Sequence, residues 1–122
     1  MSPPGPLDLE ALAQLRALTG MHGGSLADDA IDAFQRELPE RLVVLREALA
    51  QSDWRTAEHA AQALRGIAAT LGAREVAHIA SELVDALARG ATTEAFTLLA
   101  ELETAGAAAA AALDQQRTTR AP

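Results

Sequence analysis

Apolar residues recur along most of this chain at intervals of three and four, the spacing that lines up one face of a helix. Leu9, Leu12 and Leu15 begin the pattern, and a first short helix is expected over about residues 7–18. Asp8 and Glu10 fall in its first turn, where carboxylates suit the positive end of the helix dipole. Gly20 to Gly24 then break the pattern, and Ser25 reads as an N-cap with Asp28 three residues on. A second helix should run from about Leu26 to Ala50, because Ile31, Phe34, Leu38, Leu42, Leu45 and Leu49 keep one apolar face along that whole length. Pro39 sits inside it without an N–H to donate, so a bend or local opening is expected there.

Gln51, Ser52 and Asp53 form a tight connection that ends in a capping residue. A third helix is expected over about 54–71 with Ala57, Ala60, Leu64, Ile67 and Leu71 inward, and Gly72 as its C-terminal cap. A fourth should span about Arg74 to Arg89, with Val76, Ile79, Ala80, Leu83 and Leu87 inward and Gly90 closing it. A fifth starts at Thr92 or Thr93 and carries Phe96, Leu98, Leu99 and Leu102. The stretch from Ala105 to Leu113 is nearly all Ala, which supports a helix but offers little to anchor it, so its end should fray. Met1 to Pro6 read as a flexible Pro-rich lead-in, and Asp114 to Pro122 as a disordered tail. Short loops between long helices place neighbours antiparallel. The expected fold is all-α: an antiparallel four-helix bundle with an additional short N-terminal helix, built from residues 7–113.

Composition agrees with that reading. Thirty Ala and eighteen Leu stand against two Phe, one Trp and no Tyr, a mixture that favours close-packed helices over strands. Cysteine is absent, which removes disulfides, thiol nucleophiles and thiolate metal sites. A net charge of −7 argues against nucleic acid as a partner. No apolar run approaches the ~20 residues of a membrane span, and the MSPPGP start has neither basic residues nor an apolar core, so a soluble, cytoplasmic protein is expected, with no membrane partner. His22, His59 and His78 are scattered without clustered carboxylates and make no metal site. There is no Gly-rich phosphate loop, no nucleophile beside a base and no pair of catalytic carboxylates. No cofactor is expected, and the chain is expected to dock a partner protein, not to act as an enzyme.

The third helix carries the most chemistry. At about 100° per residue, Gln62 lies roughly 160° from Leu64 and Gly66 roughly 160° on the other side, so both face away from the core. His59 and Ala69 fall near the same outer stripe. A glycine on the exposed side of a mid-helix turn costs about 1 kcal/mol relative to Ala. Two explanations stay open at this level: something approaches the backbone closely there, or Gly66 packs against a neighbouring helix. Trp54, at the start of this helix, is expected to pack the end of the bundle, and His78, between Val76 and Ile79, to lie at the core boundary.

The run from Gln62 to Ala73, QALRGIAATLGA, resembles the signature of histidine-containing phosphotransfer domains of bacterial two-component phosphorelays. That signature reads His, any residue, Leu, Lys, Gly, and a second Gly ten positions after the His. Leu64, Arg65, Gly66 and Gly72 fall in place, with Arg for Lys. The Phe34, Pro39 and Leu45 pattern, Asp53, and the run GAREVAHIASELVDALARG agree as well. One position departs from it: Gln62 stands where the family carries its phosphorylated histidine. The resemblance implies a bundle that docks a response-regulator receiver domain or a hybrid sensor histidine kinase through His59, Gln62, Arg65, Gly66 and Ala69, with no phosphate carried at 62. Arg65 would keep the positive point of the family's lysine; otherwise it is an ordinary exposed arginine. Two alternatives remain: an active relay, with His59 as acceptor or Gln62 standing in for a replaced native histidine, and a structural dimerisation bundle that uses the Ala-rich last helix.

Overall fold

The computed structural model describes residues 7–17 and 26–116. The expected lead-in, the Gly20 to Gly24 break, the Ser25 cap, His22 and most of the expected tail lie outside the described residues. Five helices are present among them: α1 (Leu9–Ala17), α2 (Leu26–Ala50), α3 (Trp54–Leu71), α4 (Arg74–Ala88) and α5 (Thr92–Gln115). Helices α2 to α5 form the bundle, each packed on the next in the chain, with α5 returning to α2, while α1 lies against α2 and α3. Phe34, Ile31, Leu45, Leu64, Leu83 and Leu102 are among its largest fully buried side chains.

The helix bounds follow local chemistry. α1 starts two residues later than its apolar pattern suggests, because Asp8 stands before the helix and caps it. Its carboxylate accepts from the N–H groups of Glu10 (3.1 Å) and Ala11 (3.3 Å). Leu9 is 58% exposed, so Leu12 and Leu15 alone turn that helix to the core. α2 is helical without interruption through Pro39, which lies on its exposed side, and no local opening occurs there. α4 ends at Ala88, with Arg89 as the cap residue and Gly90 in the left-handed region at φ 71°. The Arg89 guanidinium bonds Asp85 and Glu94 and ties the two helices across that turn.

The Ala-rich end of α5 departs most from expectation. Ala105, Gly106, Ala109 and Leu113 are buried, and the helix continues through Gln115, two residues into the expected tail. Small side chains anchor it by letting α2 come close. A Cβ placed on Gly106 would meet Leu38 Cδ2 at 3.1 Å, and Gln35 Nε2 donates to the Ala110 carbonyl at 3.1 Å. Arg46 adds an ion pair to Glu103. α5 is also long and apolar enough, by length and composition alone, to cross a membrane, contrary to the reading of the apolar runs. Its inner face is buried in the bundle, as a core helix of this composition would be. Phe96 points away from that core and is 44% exposed.

Candidate functional site

α3 is held at both ends. At its start the Asp53 carboxylate accepts from the Thr56 N–H at 3.2 Å. Hydrogen bonding by Thr56, first from its side chain and then from its backbone, holds the Asp53 carboxyl below its ordinary value. At its end Gly72 adopts φ 75° and directs its N–H to the Ala68 and Ala69 carbonyls, while the Ala73 N–H reaches Ala68 at 2.8 Å. The Gly72 carbonyl in turn accepts from the Asp8 N–H, which fastens α1 to this end of α3. Ala57, Ala60, Ala61, Leu64, Ala68 and Leu71 bury the inner face.

That anchoring leaves one side of α3 open. His59, Gln62, Arg65, Gly66 and Ala69, the five residues singled out from the sequence, are all exposed. With 1.5 Å and 100° per residue, His59 and Arg65 each lie 4.5 Å along the axis from Gln62, rotated by about 60° to opposite sides. Nothing stands within 4 Å of a Cβ built on Gly66. The packing explanation for that glycine is therefore excluded among the described residues, and close approach from outside remains. The Gly66 carbonyl accepts from the Thr70 hydroxyl at 3.1 Å. Neither the Gln62 nor the Arg65 side chain bonds or pairs with any other described residue.

Two surface features were not read from the sequence. A groove of about 120 Å³ lies between α2 and α3, lined by Ala30, Ala33, Phe34, Ile67, Thr70 and Leu71, one turn from Gly66. Ala30 and Ala33 on the flank of α2 were its only signal, and their meaning depends on the register between the helices. Farther along α2, Val43 and Val44 are 46% and 44% exposed, and Arg41 Nη2 bonds Glu37 Oε1 at 3.2 Å. Trp54 sits at the bundle end beside Leu87, Gly90, Ala91 and Thr92, where it was expected to pack, but it is 39% exposed and covers that end only in part. His78 is not a boundary residue: it is exposed, with Nε2 3.5 Å from Glu82 one turn on. No group of three metal-binding side chains occurs among the described residues.

The arrangement is a helical bundle in which the exposed face of α3 carries a glycine near its middle and a motif in register along it. The Hpt domain family profile matches residues 29–116, which takes in nearly all of α2 to α5 and the whole stripe. The chain belongs to the Hpt domain family. Among solved structures it resembles histidine-containing phosphotransfer protein B (HptB) from Pseudomonas aeruginosa PAO1. That likeness has a TM-score of 0.84 and 28% identity, and covers 95% of this chain and 96% of that one. No curated protein sequence matches it. Family and fold together make this Hpt chain a phosphotransfer module of the two-component kind, with Gln62 at the middle of its exposed stripe.

Proposed function

We propose that this Hpt domain docks a response-regulator receiver domain, or a hybrid sensor histidine kinase, without carrying phosphate itself, and that it regulates or scaffolds that partner in the cytoplasm. The observation that carries this reading is the amide at the centre of the stripe. In a phosphohistidine relay one imidazole nitrogen attacks phosphorus, the aspartyl oxygen leaves, and the other ring nitrogen holds the proton. A carboxamide nitrogen has its lone pair delocalised into the carbonyl and does not attack. Gln62 does keep the reach of histidine and its paired donor and acceptor character, so a docking surface survives the loss of the nucleophile.

His59 is the nearest imidazole on that face, 4.5 Å along the axis and turned by about 60°. In-line transfer tolerates errors of only about 1 Å, so a partner docked over residue 62 misses it. Gly66 and Ala69 leave room for a partner backbone, and Arg65 offers a cation to the partner's carboxylates.

The test is phosphoryl transfer from a panel of phosphorylated receiver domains to this chain and to Gln62→His, side by side. The expected result is acid-labile label on the variant and none on the unsubstituted chain, with both binding the same receivers. Acid-labile label on the unsubstituted chain would overturn the reading and move attention to His59. Absence of binding by either protein would favour the purely structural bundle.

A further inference from the structure

Acids outnumber bases in this chain by 17 to 10, and the described arginines divide into those beside a carboxylate and those without one. Arg36 and Arg41 lie against Glu37, Arg46 against Glu103, and Arg89 against Asp85 and Glu94. Arg55, Arg65 and Arg74 pair with no other described residue, and all three are exposed. These unpaired cations fall within residues 55–74, on α3 and at the first position of α4.

The placement of Arg55 runs against helix electrostatics. α1, α2, α4 and α5 each carry an acid in the first turn, and α3 has none. It has Arg55 there instead, at the end where the helix dipole disfavours a cation. The nearby Asp53 carboxylate is engaged with the Thr56 N–H. Arg55 precedes Gln62 by seven residues, which places it about 10.5 Å along the axis and only about 20° around it. Arg65 lies about 60° around the other way, so the two arginines, about 80° apart, span about 15 Å along the axis with Gln62 between them. Glu58, the one acid on α3, lies on this same face three residues after Arg55, so the two arginines leave the helix with a net charge of one positive on a chain of net charge −7.

We infer that Arg55 is a second anchor, about two helical turns from Gln62, for a partner protein that presents carboxylates along this face of α3. The inference rests on the docking reading for its choice of a protein partner, and adds the partner's chemistry and the length of its footprint. Net negative charge on the rest of the chain disfavours a nucleic acid as the polyanion, while a local positive stripe within it orients an acidic protein surface and speeds its arrival.

The test uses the whole ¹⁵N-labelled chain titrated with a hexaglutamate peptide, at roughly 0.01 M and roughly 1 M salt, where charges act over about 30 Å and 3 Å. Amide shifts are expected along residues 55–66 at low salt, and to vanish at high salt. Arg55→Gln should weaken the apparent affinity by about two- to fivefold, and Arg36→Gln should leave it unchanged. Spectra of the free variants, unchanged away from the substitution, report that they fold. Shifts absent from α3, or centred on Arg36, Arg46 or Arg89, would overturn the inference. So would an equal response to an oligothymidylate of the same charge. If Gln62→His takes label from a receiver while hexaglutamate ignores α3, the docking reading stands and the Arg55 anchor falls. If the peptide maps to α3 and no receiver engages, the acidic footprint stands and the receiver as partner falls.

Discussion

Gly66 on α3 and Gly72 at its C-terminal cap stand six residues apart in opposite surroundings. A Cβ on Gly66 meets nothing within 4 Å, whereas one on Gly72 would lie 2.5 Å from the Asp8 carbonyl oxygen and 3.1 Å from Ala11 Cβ. Gly72 also holds φ 75°, which L side chains rarely adopt. The interior of the fold accounts for one glycine in full and for the other not at all. Gly66 weakens its helix without relieving any crowding, so nothing among the described residues requires a glycine there.

The largest effect that separates the two is expected at Gly72. Gly72→Ala adds a left-handed penalty to a clash with α1, so a loss of about 3 kcal/mol is expected in urea unfolding. Gly72→Asn sharpens the cause, since Asn tolerates the left-handed region but still carries the Cβ. It should lose nearly as much. A near-normal midpoint for the Asn variant would assign the whole cost to backbone strain and remove the close approach of α1 from the account.

At Gly66 the sign reverses. Gly66→Ala meets no neighbour and gains helix propensity, so a stabilisation of about 1 kcal/mol is expected. The same change, made in the Gln62→His background, should slow phosphoryl transfer from a receiver, because the methyl holds the partner backbone away. A stabilised variant that transfers at the unchanged rate would show that nothing approaches position 66, and the comparison between the glycines would lose its functional half.

Much of this was legible in the sequence because contrast was available. Large apolar residues at helical spacing, punctuated by Asp53, Gly72 and Gly90, placed α3 and α4 to within a residue, and the same periodicity set α2. The stripe of His59, Gln62, Arg65, Gly66 and Ala69 was legible for the same reason, as the side of α3 left over once Leu64 is turned inward. The end of α5 was not. A run of alanines has no large-against-small pattern, so which of them face α2 depends on where Leu38 lies. The start of α1 was misplaced because an acid within a helix and an acid capping it look alike until the backbone turns. The surroundings of Gly66 and the groove beside Phe34 belong to the same class: both depend on the register between helices.

The smallest effect is expected at the other end of α3, and it extends the contrast from two glycines to two caps. The C-terminal cap is locked under α1, while the N-terminal cap Asp53 is exposed and acts through its hydrogen bonding to Thr56. Its carboxyl is held below its ordinary value by that hydrogen bonding, so the ionised form is the one that stabilises the helix. A group with a depressed folded value contributes above its unfolded value, near 3.9, and loses that contribution as pH falls through the folded one. Asp53→Ala should therefore lower the melting temperature at neutral pH, and the gap to the unsubstituted chain should close below about pH 4. Asp53→Asn keeps a capping acceptor that does not titrate, so it should fall between the Ala variant and the unsubstituted chain at neutral pH and show no such change with pH. Differences between variants isolate this one group, since the other acids titrate alike in each. A gap between Ala and Asp that persists unchanged at pH 2 would mean that the protonated Asp53 carboxyl caps α3 as well as the carboxylate does, and that charge adds nothing.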